Sequence, residues 1–210
     1  MGFSTIAVAG GLLLGLLAGG RPSNIGRRRL RWWAPLVVGV VLQAAAELFD
    51  VDGDAGLGMV LASYACLVLF GLANLRLVGM SVVLAGLAAN AAVIVANSGM
   101  PVRADAITAA GVATPEEVAG LDFGAKRHLE RPGDRFVLLG DVIPVRPTRE
   151  VLSFGDLVLA AGVADVLFRL LRPVRARRRS AAVVLGEGDG VVIDLRQQEP
   201  SVGAGRRLVS

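Results

Sequence analysis

A polar side chain set into apolar sequence must be hydrogen-bonded or paired to be there, so such residues mark where this chain can do chemistry. The stretch LLGDVIPVRPTREVLSFGD, residues 138–156, holds two Gly-Asp pairs, Gly140-Asp141 and Gly155-Asp156. Asp141 sits among aliphatic residues and ahead of Pro144, so it wants a partner. Asp156 follows Ser153 at capping-box spacing, with Ser153 as helix cap and the acid reaching back to the Ser153 amide. The positive end of the helix dipole favours the same acid. The single histidine, His128, makes with Asp141 the candidate pair for catalysis. It stands beside Lys126-Arg127, as surface histidines do, and no Gly-x-Ser-x-Gly or His-Glu-x-x-His motif supplies a nucleophile or a metal site. No catalytic residue, metal or cofactor is assigned. Cys66, the one cysteine, lies in an apolar run and reads as a small hydrophobe.

Further polar residues interrupt apolar runs. Gln43 and Glu47 are four apart, Asn90 and Asn97 seven apart, and Asp165 and Arg169 four apart in the favourable order for a helix. Gln43, Asn90, Asp165 and Arg169 form an intramembrane polar set. Glu47, Asn97, His128, Asp141, Ser153 and Asp156 form a candidate outer-face cluster: Glu47 and Asn97 end their spans at the outer face, Ser153 and Asp156 begin one there, and His128 and Asp141 lie in the loop between residues 99 and 150.

The elements that must position these residues are membrane spans. Of 210 residues 54% are hydrophobic, with mean hydropathy +0.61, and the excess is gathered in runs. The expected fold is all-α and membrane-embedded, with five transmembrane helices at about 3–20, 32–49, 55–74, 77–96 and 153–171. The first run lacks the basic leader of a signal peptide and is followed by five arginines in residues 21–31, so a retained span is expected. Small residues four apart, Gly11, Gly15 and Gly19 in the first span and Ser81, Ala85 and Ala89 in the fourth, suit close packing within the bundle.

Charge orients the spans. Residues 21–31, Arg76 and the tail RPVRARRR are basic, whereas DVDGD at residues 50–54 is acidic and Gly99–Glu150 carries seven bases and eight acids. The positive-inside pattern puts the N-terminus outside and the C-terminus in the cytoplasm of a bacterial cell membrane. Residues 1–172 then form a five-helix domain. Its loop 99–152 folds over the bundle mouth from the extracytoplasmic side, bringing Asp141 and His128 towards Asn97, Ser153 and Asp156. Within the loop RADAITAAG and TPEEVAGL read as short helices and RFVLLGDVIPV as strand-like. The basic tail, 173–210, reads as a small hairpin or as disordered.

NSGMPV at Asn97–Val102, His128, LGDVIP at Leu139–Pro144 and SFGD at Ser153–Asp156 resemble the motifs of a multi-pass membrane family of unknown function, found mainly in Gram-positive and related bacteria. The resemblance covers roughly Met1 to Arg172. It implies no catalytic role, and it marks Asn97, Met100, Pro101, His128, Asp141, Pro144, Ser153 and Asp156 as the places to look.

Three functions follow. The favoured one is a non-enzymatic membrane component whose outer loop engages a membrane lipid or a membrane or extracytoplasmic protein. The second is a small transporter or ion-coupled subunit using Glu47, Asn90 and Asp165, although five spans without a repeat do not suggest an inverted-repeat transporter. The third is an outer-face enzyme using His128 and Asp141. Nucleic acid is not an expected partner, because the arginines flank apolar runs.

Overall fold

The structure is a computed structural model and describes residues 3–27, 30–124 and 126–172. The tail, 173–210, and the expectations placed on it lie outside the described residues. The chain is mostly helical: α1 (Phe3–Leu17), α2 (Trp33–Leu48), α3 (Gly53–Ala73), α4 (Met80–Asn97), α5 (Ala104–Ala110) and α6 (Phe154–Leu171). Four three-residue strands, β1 (Met100–Val102), β2 (Arg127–Leu129), β3 (Ile143–Val145) and β4 (Glu150–Leu152), lie between α4 and α6.

By length and composition α3 and α4 can cross a membrane, with 21 and 18 apolar-rich residues. The helices α1 and α2 are shorter, 15 and 16 residues, and α6 has 18 residues but carries Asp156, Asp165 and Arg169. Large apolar side chains face outward along all five, among them Leu13, Leu14, Val40, Val41, Leu69, Leu72, Val95 and Val158.

Neighbouring helices run in the order α2, α3, α4, α6, α1. The α4–α6 seam is set by glycine. A Cβ on Gly86 would lie 2.5 Å from the Leu159 amide nitrogen, and one on Gly162 would lie 2.6 Å from that of Val83. The backbones therefore approach where a larger residue would hold them apart. On α1, Gly11 and Gly15 pack against α6 at Ala164, Phe168 and Leu171, while Gly19 ends the helix at positive φ. The small-residue face expected on α4 sits one position away: Ser81 and Ala85 are exposed, and Gly86 makes the contact. Two asparagines fasten the connections at one end of the bundle. Asn24 donates to the Leu171 carbonyl, and Asn74 donates to the Arg31 and Phe70 carbonyls while accepting from the Arg31 amide.

The loop between α4 and α6 has its own small core of Val102, Ala106, Ile107, Ala110, Val118 and Val151. Its spine is β1, which enters directly from α4. On one side β1 pairs in parallel with β2, placing Met100 opposite Arg127 and Pro101 opposite His128. Elsewhere along β1, Val102 bridges Asp141, whose amide donates to the Pro101 carbonyl and whose carbonyl accepts from Arg103. The antiparallel hairpin β3–β4 then delivers the chain to α6. Two local expectations change. RFVLLGDVIPV is strand only at Ile143–Val145; Val137–Leu139 is a 3-10 turn entered through Phe136 at positive φ. In TPEEVAGL only Val118–Gly120 is helical, again 3-10, though the Glu117 carboxylate does accept from the Thr114 amide. Hydrogen bonding from Thr114 holds the Glu117 carboxyl below its usual pKa.

Candidate functional site

The site begins at the cap of α6. The Ser153 hydroxyl accepts from the Asp156 amide, and the Asp156 carboxylate accepts from the Ser153 amide, so both halves of the capping box form. Asn90 reaches across the glycine seam to join it. Its amide donates to Asp156 Oδ1 at 2.7 Å, and its oxygen accepts from the Ser153 hydroxyl at 2.9 Å. Gly155 makes room for this, since a Cβ there would collide with Asn90 Oδ1. Every polar atom of a buried asparagine is thereby used, which lets it sit inside the bundle.

Above the cap lies a buried charge. Asp141 is 1% exposed, and Arg127 Nε stands 2.7 Å from its Oδ2. The Nε–H is not aimed along the contact, so neither carboxylate oxygen receives a well-directed hydrogen bond. Burial pushes the Asp141 carboxyl up, Arg127 pulls it down and the neighbouring Asp156 charge pushes it up again, which together leave it at about 6. Burial works against protonated Arg127, but attraction from Asp141, Asp156 and Glu47 outweighs it and its pKa is raised. The arginine side chain keeps 42% exposure, so this pair is closed on the acid side and open on the other.

Two cavities flank the pair. One, about 340 Å³, is lined by Lys126, Arg127, Arg149, Asp122, Asp141 and Asp156 with apolar neighbours. The other, about 510 Å³, is lined by Gln43, Glu47, Asp50 and Asp52 and shares Lys126 and Arg127 with the first. What the arrangement can do is bind a charged group. Among the described residues no group of three or more His, Cys, Asp or Glu could hold a metal ion.

Asn90, Ser153, Asp156 and Asp141 are brought together, and Glu47 faces Arg127 from the second cavity. Asn97 works apart from them: its amide donates to the Arg135 carbonyl and its oxygen accepts from the Arg135 amide, which ties the loop to the end of α4. His128 is also separate. Its Nδ1 is 2.9 Å from the Leu129 carbonyl and 3.8 Å from Asp134, and its buried Nε2 has no partner among the described residues. The expected meeting of His128 with Asp141 is replaced by Arg127, because alternation along β2 turns adjacent side chains to opposite faces. Asp165 pairs with Arg169 in the lower half of α6, away from Asn90 and Glu47. Sequence reasoning missed Arg127 and Lys126. The signal was the lone acid in aliphatic sequence, which demands a cation, but seven loop bases left the choice open.

No curated protein and no solved structure matches the chain. Residues 28–168, from ahead of α2 almost to the end of α6, match a family described as one of unknown function, DUF5317. The match includes every residue of the site, and the chain belongs to that family.

Proposed function

We propose that this is a five-span bacterial cell-membrane protein, N-terminus outside and C-terminus in the cytoplasm, whose outer loop 99–152 engages a membrane lipid or a protein at the bundle mouth. The spans are α1, α2, α3, α4 and α6. Outward-facing apolar side chains on all five support this, since contiguous exposed grease on a helix bundle calls for lipid or a partner. The short α1 and α2 fit a local thinning of the bilayer or snorkelling of flanking residues. The basic segments at residues 21–31 and at Arg76 support the orientation.

The single observation that carries the binding reading is the charged recess around the Arg127–Asp141 pair. It is made by the loop and the start of α6, and so opens at the mouth. Catalysis by His128 and Asp141 lacks support, because the two side chains make no contact among the described residues. Transport through Glu47, Asn90 and Asp165 lacks it too, since both polar atoms of Asn90 are engaged at the α6 cap and Asp165 is paired with Arg169.

Topology reporters test the frame. One inserted within residues 111–121 is expected to act as external and one after Ser210 as cytoplasmic; the opposite pattern would overturn the orientation. Charge reversal Lys126→Glu tests the recess. It is expected to lower capture of the natural lipid or protein by a photo-crosslinker at Asp122 about tenfold, and unchanged capture would contradict the reading.

A further inference from the structure

We propose that the molecule holds one aminophospholipid, its zwitterionic headgroup in the loop's charged recess and an acyl chain in an apolar cleft between the helices, the two joined at Asp156. This rests on the reading above that the helices stand in a membrane with the loop outside, and it names the ligand of that same site.

The cleft, about 350 Å³, lies between the α1–α6 pair and the α2–α3 pair and takes its walls from Leu67, Phe70, Leu87, Leu159 and Leu170. Its volume falls within the range of small-molecule sites. Asp156 is the one ionisable group among its lining residues, and it is also the one residue that lines both this cleft and the charged recess. Along α6 the cleft runs from Asp156 to Leu170, a rise of about 21 Å at roughly 1.5 Å per residue. That is ample for a chain entering from one leaflet of a hydrocarbon core about 30 Å thick. An apolar slot inside a bundle ending in a carboxylate at a charged mouth has the form of an amphiphile.

The recess selects the headgroup. Three bases, Lys126, Arg127 and Arg149, and four acids, Asp122, Asp141, Glu150 and Asp156, line it. A simple anion meets the carboxylates and a simple cation meets the bases, so a group bearing both charges is favoured. Lys126 makes no ion pair among the described residues; its ammonium lies 6.0 Å over the Tyr64 ring and lines the recess. It is placed to take a phosphate. Both oxygens of buried Asp141 lack a directed donor, and each Asp156 oxygen accepts one bond and keeps a free lone pair. An ammonium with three N–H donors supplies what both carboxylates want. A quaternary ammonium has none to give.

The full chain, purified in mild detergent, is to be titrated with three diacyl lipids of identical chains bearing phosphoethanolamine, phosphocholine or phosphoglycerol, and retained lipid counted by native mass spectrometry. One ethanolamine lipid is expected to be held about tenfold more tightly than either other lipid, the worth of one charge-assisted hydrogen bond. Lys126→Glu at the recess and Ala160→Trp in the cleft are each expected to cost about tenfold in that retention. Ala160→Leu serves if the tryptophan variant does not fold, and thermal unfolding of each variant reports folding separately. Equal retention of all three lipids, or retention indifferent to both variants, means lipid that merely coats the bundle and overturns the proposal. A stoichiometric protein partner with no lipid retained overturns it in favour of a protein ligand. Reporter fusions read the orientation independently, so lost selectivity with an external loop counts against the lipid site alone.

Discussion

Two acid–arginine pairs, Asp165–Arg169 and Arg127–Asp141, share an Nε–O distance of 2.7 Å and little else. The first joins residues four apart on α6; the arginine donates to both carboxylate oxygens, and the acid is 36% exposed. The second joins residues far apart in a loop, buries its acid, and leaves both acid oxygens without a directed donor. Helical spacing alone brings the first pair together. The second exists only because β2 and the Asp141 segment both attach to β1. A fully satisfied pair is a structural device; an under-satisfied one beside a cavity has capacity left for a ligand.

That contrast orders the expected effects. Arg127→Met leaves Asp141 buried without its cation. Breaking a buried pair costs roughly 3–5 kcal/mol, and the exposure of Arg127 together with proton uptake by Asp141 reduces this to about 2 kcal/mol. Urea unfolding at neutral pH measures it, with faster proteolysis of the loop as a second readout; a change below about 0.5 kcal/mol would make the two pairs equivalent.

The pH dependence comes next. Asp141 has a pKa of about 6 in the folded protein, above the roughly 3.9 of an unfolded chain. Between those values the folded state binds more protons than the unfolded one, so this residue's contribution to stability falls as pH rises from about 4 to 6 and is flat above. Thermal unfolding across that range is expected to show the slope in the wild type and to lose it in Asp141→Asn. A slope retained by the variant would assign the titration elsewhere.

Ser153→Ala removes the α6 cap and one bond to Asn90, for a loss of about 1 kcal/mol in thermal unfolding. The smallest effect belongs to Asp165→Asn, under about 0.5 kcal/mol, as for other partly exposed pairs at i and i+4. A loss above about 2 kcal/mol there would erase the contrast between the pairs.

The same contrast explains what was legible in the sequence. The Ser153–Asp156 capping box and the Asp165–Arg169 pair are written at fixed short spacings, and the structure forms both. Trp33–Leu48 and Gly53–Ala73 differ from the expected 32–49 and 55–74 by a residue or two, while α1 ends three residues before the expected 20 and α4 starts three after the expected 77. Arg127 was not legible. Its selection depends on the parallel pairing of β1 with β2, which brings Met100 opposite a residue 27 positions on. No local spacing rule encodes that distance. Asn90 was visible as an expensive intramembrane polar residue, but its partners at Ser153 and Asp156 depend on the glycine seam of α4 and α6. Gly86 and Gly162 read as unremarkable members of a glycine-rich chain, and Gly155 stands out only as the neighbour of Asp156, until the two helices are laid together. His128 drew notice as the single histidine, yet it packs against Gly99 and bonds the Leu129 carbonyl.

The direct test of a loop closed over the mouth by Arg127 and Asp141 is a double-mutant cycle. Arg127→Met, Asp141→Asn and the double variant are compared with the wild type by urea unfolding at neutral pH. If the two side chains act as one buried pair, the double variant loses less stability than the two single losses summed, by a coupling of about 1–2 kcal/mol. Losses that simply add would show that the residues act independently and that the pair does not hold the loop in place.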